Sequence, residues 1–181
     1  NSRFSATGAT TPYAWALDKV SDRQSNTMLI TYKTGSVANP DTIQYTAIAA
    51  APSTYRYAVT FNYTARTGGT TITRYVAGFP VTQTQQITNI NVTSDYPSAG
   101  TSVRQYYLNY GSSGTTNRPL LASVQECGGS AGTDCLRPTN ITYQSGSTGW
   151  STTATTSSVS GQYALLPADV NGDGTSDLLY A

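Results

Sequence analysis

Asp169, Asn171, Asp173, Thr175 and Asp177 stand at alternate positions of Asp169-Val-Asn171-Gly-Asp173-Gly174-Thr175-Ser-Asp177, close to the end of the chain. Oxygen ligands at this spacing suit a hard cation. Calcium takes about six to eight oxygens, and side chains at the first, third and fifth positions of a tight loop converge on one point. Gly174 permits the sharp turn, Thr175 offers its backbone carbonyl, and Asp177 a further oxygen. Three close carboxylates repel one another unless a cation lies between them. The competing reading is an Asn-Gly/Asp-Gly turn with solvated carboxylates. An EF-hand requires glutamate at the twelfth position of the loop, and Tyr180 stands there. With strand-like sequence on both sides, the expectation is a Ca2+ site in a β-hairpin loop.

Cys127 and Cys135 enclose Gly128-Gly-Ser-Ala-Gly-Thr-Asp134, a flexible stretch between strand-like segments. A disulfide stapling this loop is expected, which suits an oxidising compartment; the alternative is a pair of free thiols. Without histidine, two thiolates do not complete a closed zinc site.

The absence of histidine also removes the Ser-His-Asp and Cys-His arrangements. Outside the terminal loop the carboxylates are Asp18, Asp22, Asp41, Asp95, Glu126 and Asp134. A glycosidase pair would need Glu126 with one of the aspartates, but Glu126 beside Cys127 reads as a solvated strand-end residue. Gly111-Ser-Ser-Gly114 reads as hairpin punctuation, since no phosphate-loop pattern opens a helix here. The expectation is a non-enzyme. The ten basic residues are scattered singly, so no stripe marks a nucleic-acid partner. No apolar run approaches the roughly 18 residues that a membrane span requires. Fourteen tyrosines could stack on sugars, although cross-strand packing is the preferred reading. Asn62, Asn91 and Asn140 open Asn-x-Thr triplets, which arise by chance in so Thr-rich a chain.

The elements that must position these groups read as strands. Charged residues make up 10% of the chain, against roughly 25% in an average globular protein. Abundant Thr, Tyr and Val favour pleated structure. Period-2 alternation marks residues 13–20, 27–32, 42–48, 55–63, 86–93, 103–110, 120–127 and 138–144. Within 86–93 the apolar residues change face, which predicts a bulge or a two-sided environment. No segment carries a helical period. The expected fold is all-β, an antiparallel hairpin-rich sheet over residues 1–144. A Ser/Thr-rich linker over 145–162 then leads to a calcium-binding repeat over 163–181.

Three further stretches carry a resemblance: Arg104-Gln-Tyr106-Tyr-Leu108-Asn-Tyr110-Gly, Arg118-Pro-Leu120-Leu-Ala-Ser-Val124-Gln-Glu126-Cys127 and Cys135-Leu-Arg-Pro138-Thr-Asn-Ile141-Thr-Tyr143-Gln. Together they resemble the segment of SpvB-like, insecticidal Tc-toxin B-type and RHS-type secreted bacterial proteins that runs into an FG-GAP/VCBS repeat. Trp15-Ala-Leu17-Asp-Lys-Val20 through Tyr32 is similar to that family's strand–turn–strand unit, and Ala168 to Tyr180 looks like the calcium loop of a propeller blade. The chain departs from the pattern at Ile141, where the family has an aromatic, and lacks the Tyr-Asp dipeptide of RHS repeats. The resemblance implies an RHS-like shell segment ending in a partial FG-GAP/VCBS blade, secreted or on the bacterial cell surface. Its implied function is structural, within a larger toxin or virulence protein. Implied partners are the rest of the parent polypeptide or toxin-complex subunits. Self-association into fibres and binding of surface glycans are the alternatives. The chain opens abruptly at Asn1-Ser2-Arg3, which reads as a piece of such a protein.

Overall fold

The computed structural model describes residues 2–47, 54–94, 100–129, 132–144, 146, 165–169 and 176–180. The chain divides into two units, residues 1–148 and 149–181, the boundary falling inside the Ser/Thr-rich stretch. The fold is all-β and antiparallel throughout, with no α-helix among the described residues.

The first unit is built on a nine-stranded sheet. Its strands are β3 (Lys19–Ser21), β4 (Thr27–Tyr32), β5 (Pro40–Ala47), β6 (Tyr57–Ala65), β9 (Gln85–Ser94), β10 (Thr101–Ser112), β11 (Pro119–Gly128), β12 (Asp134–Cys135) and β13 (Thr139–Asn140). Their order is β12-β11-β10-β9-β6-β5-β4-β3, with β13 also on β11. Two two-stranded ribbons accompany the sheet. One pairs β1 (Arg3–Phe4) with β2 (Ala14–Trp15); the other pairs β7 (Ile72–Val76) with β8 (Phe79–Gln83). The second unit contains β14 (Leu165–Ala168) paired with β15 (Asp177–Tyr180).

Alternation along each strand, carried across by register, gives the sheet two unlike faces. One row runs Ile43, Val59, Val92, Arg104, and the next on the same face runs Phe61, Ile90, Tyr106, Glu126. Tyr45 and Tyr57 belong to this face and stack with ring centroids 5.4 Å apart. The opposite face carries Thr42, Thr60, Asn91, Gln105 and Cys127 in one row, and Asn62, Asn89, Tyr107 and Gln125 in another. Its side chains bond to one another: Asn62 Nδ2 donates to Asn89 Oδ1 at 2.9 Å, Ser102 Oγ to Asn91 Oδ1 at 2.6 Å, and Tyr107 OH to Gln105 Oε1 at 2.9 Å. Asn62 and Asn91 of the Asn-x-Thr triplets are therefore members of polar cross-strand pairs.

The bulge expected in residues 86–93 lies at Thr88. Asn62 pairs with Asn89 and Tyr63 with Ile87, so Thr88 is the extra residue. Its hydroxyl donates to Asn62 O at 3.4 Å. Other expectations are corrected. Residues 13–20 are not one strand: β2 pairs with β1, and β3 pairs with β4. Local alternation is continuous there, but the chain changes partner. Residues 138–144 hold only β13. The β7–β8 hairpin, absent from the sequence reading, turns at Ala77 (φ 49°) and Gly78 (φ 83°). Two consecutive positive φ values match the twist of a two-residue hairpin, a turn more often announced by Asn-Gly.

Deep burial is sparse among the described residues. Phe4, Ala6, Ala47, Tyr55, Ala58, Val81 and Cys127 are the buried apolar residues, while Trp15, Leu17, Tyr75 and Leu136 are more than half exposed. The ribbons supply part of this small core. Phe4 meets Tyr32 edge-on at 5.4 Å, Thr7 N donates to Pro80 O at 2.9 Å, and the Arg74 guanidinium lies 5.8 Å from the Tyr13 ring centroid.

The β3–β4 turn is closed by Asp22, which accepts from the Asn26 side chain and from the backbone N–H groups of Asn26 and Gln24. The Asn26 side chain, then its N–H, lowers the Asp22 pKa below the usual aspartate value, with Gln24 adding to the effect. A depressed folded pKa contributes stability above the unfolded pKa, lost as pH falls through the folded one. Acidification through this range is therefore expected to loosen the turn. NMR titration of the Asp22 carboxyl checks it: the wild-type midpoint falls below the usual aspartate value and moves up towards it in Asn26→Ala. An unmoved midpoint in the variant rejects the assignment.

Candidate functional sites

The terminal hairpin pairs Leu165 with Tyr180, Leu166 with Leu179, Pro167 with Leu178 and Ala168 with Asp177. The acidic loop therefore connects two directly paired antiparallel strands, as the flanking sequence requires. Asp169 follows β14 and is exposed; Asp177 opens β15. The loop's two ends are thus held side by side, the arrangement a cation-binding hairpin needs. Asn171, Asp173 and Thr175 lie outside the described residues. Among the described residues no three carboxylate or cysteine side chains gather at one point. The linker expected over 145–162 lies outside them too, apart from Gly146.

Cys127 and Cys135 are direct partners across β11 and β12, and their sulfurs are bonded at 1.99 Å. Cys127 is 1% exposed. The loop between them turns back at Gly129 (φ 74°) and Gly132 (φ 63°), with Gly132 N donating to Gly129 O at 3.3 Å. A Cβ on Gly132 would lie 2.5 Å from Gln105 Nε2 and 2.9 Å from Tyr107 OH. The left-handed backbone and the close approach both require glycine there. The staple, the loop and the Gln105–Tyr107 pair form one polar corner of the sheet.

Glu126 faces Arg104 across β10 and β11, with Arg104 Nε 3.0 Å from its Oε1. The Arg104 pKa is raised, first by the hydrogen bond to Tyr106 OH and then by the Glu126 charge. Exposed pairs of this kind contribute little, on the order of 0–1 kcal/mol. The geometry gives Glu126 the role of an ion-pair partner on the sheet surface.

Sequence reading missed one further place. An open groove of about 340 Å³ lies where β6, β9, β10 and β11 meet. Ile87, Leu108 and the rings of Tyr63 and Tyr110 line it, together with Pro40 and Arg66. Arg66 follows β6 on a firmly held backbone. Its N–H donates to Thr84 O at 3.0 Å, its carbonyl accepts from Gly69 N at 3.1 Å, and Gln86 pins the adjoining Thr67 through both N–H (3.0 Å) and hydroxyl (2.8 Å). The Arg66 Nε is buried and has no hydrogen-bond partner. An unsatisfied buried donor costs about 1–3 kcal/mol, and more for a charged group. Burial raises the Tyr110 pKa and the Arg66 charge partly offsets the rise; burial, then the Asp41 charge, raises that of Tyr63. At the rim the Asn39 and Gln83 amides bond reciprocally, at 3.2 and 3.0 Å. These residues come from separate stretches of the chain, so spacing carries no signal for them.

Compared with known proteins, the chain matches no family model, no curated protein and no solved structure.

Proposed function

We propose that this chain is a non-catalytic β-scaffold of a larger exported bacterial protein of the SpvB-like or RHS type, with the terminal hairpin stabilised by calcium. The observation that carries the reading is the contrast between a nine-stranded sheet and its sparse deep core. One face of that sheet gathers Ile43, Val59, Phe61, Ile90, Val92 and Tyr106, with the Arg104–Glu126 ion pair at the ends of its rows. Apolar surface of this extent is what a shell segment presents to the rest of its own polypeptide. The sequence likeness over residues 104–143 points the same way.

The intact gene product is expected to carry further RHS or FG-GAP units; a gene product without them overturns the scaffold reading. Fibre growth is the weaker alternative. The sheet ends on β3, of three residues, and on β12 and β13, of two each. Short edge strands offer little template for edge-to-edge pairing.

For the hairpin, Asp169, Asn171, Asp173 and Asp177 would bind Ca2+ through side-chain oxygens and Thr175 through its carbonyl. The ion would neutralise the carboxylates and hold the two strands together. Calorimetric titration of the intact protein is expected to show saturable heat up to millimolar calcium, and Asp173→Asn combined with Asp177→Asn to abolish it. An absence of heat with the hairpin folded removes the site.

A further inference from the structure

We propose that the groove around Arg66 binds a sugar acid: a pyranose ring bearing a carboxylate. This goes beyond the scaffold reading and depends neither on the parent protein nor on calcium.

The groove's volume, about 340 Å³, falls at the lower end of the roughly 300–1,000 Å³ of small-molecule sites, which suits one or two sugar rings. Its lining includes the apolar Ile87, Leu108 and Pro119, and the Tyr63 and Tyr110 rings are aromatic surfaces of the kind on which the C–H faces of a pyranose can lie. Ring hydroxyls need donors and acceptors at the edge. The Asn39 and Gln83 amides spend one donor and one acceptor site on each other, and each retains a second N–H and further carbonyl capacity.

The acid is specified by Arg66. Its Nε is buried without a partner, so the terminal nitrogens of the guanidinium would meet the ligand, and among the described residues the lining contains no aspartate or glutamate to compete for them. A guanidinium matches a carboxylate with two parallel hydrogen bonds. Arg66 is also the lone cation of the lining among the described residues, and Lys33, whose backbone N–H bonds Asn39 O, is engaged by Asp41. One positive charge balances a carboxylate; a phosphate dianion would call for a second. The turn that carries Arg66 is braced by Gln86 and Thr84, so the guanidinium's attachment point is set before any ligand arrives.

The test is an NMR titration of the full chain with D-glucuronate, its methyl ester, acetate and inorganic phosphate. Glucuronate is expected to bind saturably, with shifts centred on the amides of Tyr63, Arg66 and Tyr110. The ester should bind about tenfold more weakly or worse, the size expected for losing a hydrogen bond to a charged group; acetate and phosphate, which lack the ring, should also bind more weakly than glucuronate. Arg66→Met should weaken glucuronate by a similar factor with an unchanged far-UV spectrum, and Arg66→Lys should recover part of the loss. Should Arg66→Met not fold, the ester comparison on the wild-type chain still decides. Equal binding of glucuronate and its ester, acetate as tight as glucuronate, tighter phosphate, or no saturable shift overturns the proposal.

Discussion

Phe4→Ala is expected to cost the first unit about 3–5 kcal/mol, the usual range for deleting a buried aromatic side chain. Phe4 is 3% exposed and meets the Tyr32 ring edge-on, beside a core that includes Ala6 at 4% and Val81 at 2%. The ribbon it anchors is only two residues per strand, and such a pair has no independent stability in water. Urea unfolding should show the loss as a lower midpoint. Hydrogen exchange localises it: the Thr7 amide, bonded to Pro80 O, and the Tyr13 amide, bonded to Phe4 O, should exchange at least ~100-fold faster, since each 1.4 kcal/mol is about tenfold. Phe4→Leu should lose less. A Phe4→Ala variant within about 1 kcal/mol of wild type, an ordinary value for point substitutions, would falsify the anchoring role.

The second large effect is expected from Cys127→Ala with Cys135→Ala. The bond closes a short loop, eight residues apart in sequence, and loop-closure entropy for that length is worth about 2–3 kcal/mol. The staple also holds β12 at the sheet edge, where Leu136 N donates to Glu126 O at 2.8 Å. The double variant should unfold at lower urea and lose exchange protection at Leu136 while the β6–β9 amides keep theirs. Reductant should destabilise the wild type by the same amount and leave the double variant unchanged. If reduced and oxidised wild type unfold together, the staple is not a stabilising element.

These two sites differ in how far sequence disclosed them. The cysteines lie close in sequence, flanked by alternating strands around a glycine-rich loop, so a staple was the favoured expectation. Phe4 was not: it lies in a two-residue strand, too short to show a period, and it meets Tyr32 of a different sheet. The groove was hidden for the same reason. Arg66, Ile87 and Tyr110 belong to three strands or their ends, and only the antiparallel register brings them together.

The terminal loop shows both sides of this division. The spacing of its acidic and amide residues, its exclusion from the EF-hand class by Tyr180 and its strand flanks are all contained in local sequence. Strand character and the Thr88 bulge are local in the same way, since side-chain alternation follows from the pleat. Partner choice is not local. That residues 13–20 divide between two sheets, that one face gathers Ile, Val, Phe and Tyr while the other gathers Thr, Asn and Gln, and that the Arg66 Nε is buried without a partner were decided by tertiary structure alone. Strand pairing joins residues dozens of positions apart through backbone hydrogen bonds that every residue type offers equally, so the sequence of any one strand does not name its neighbour.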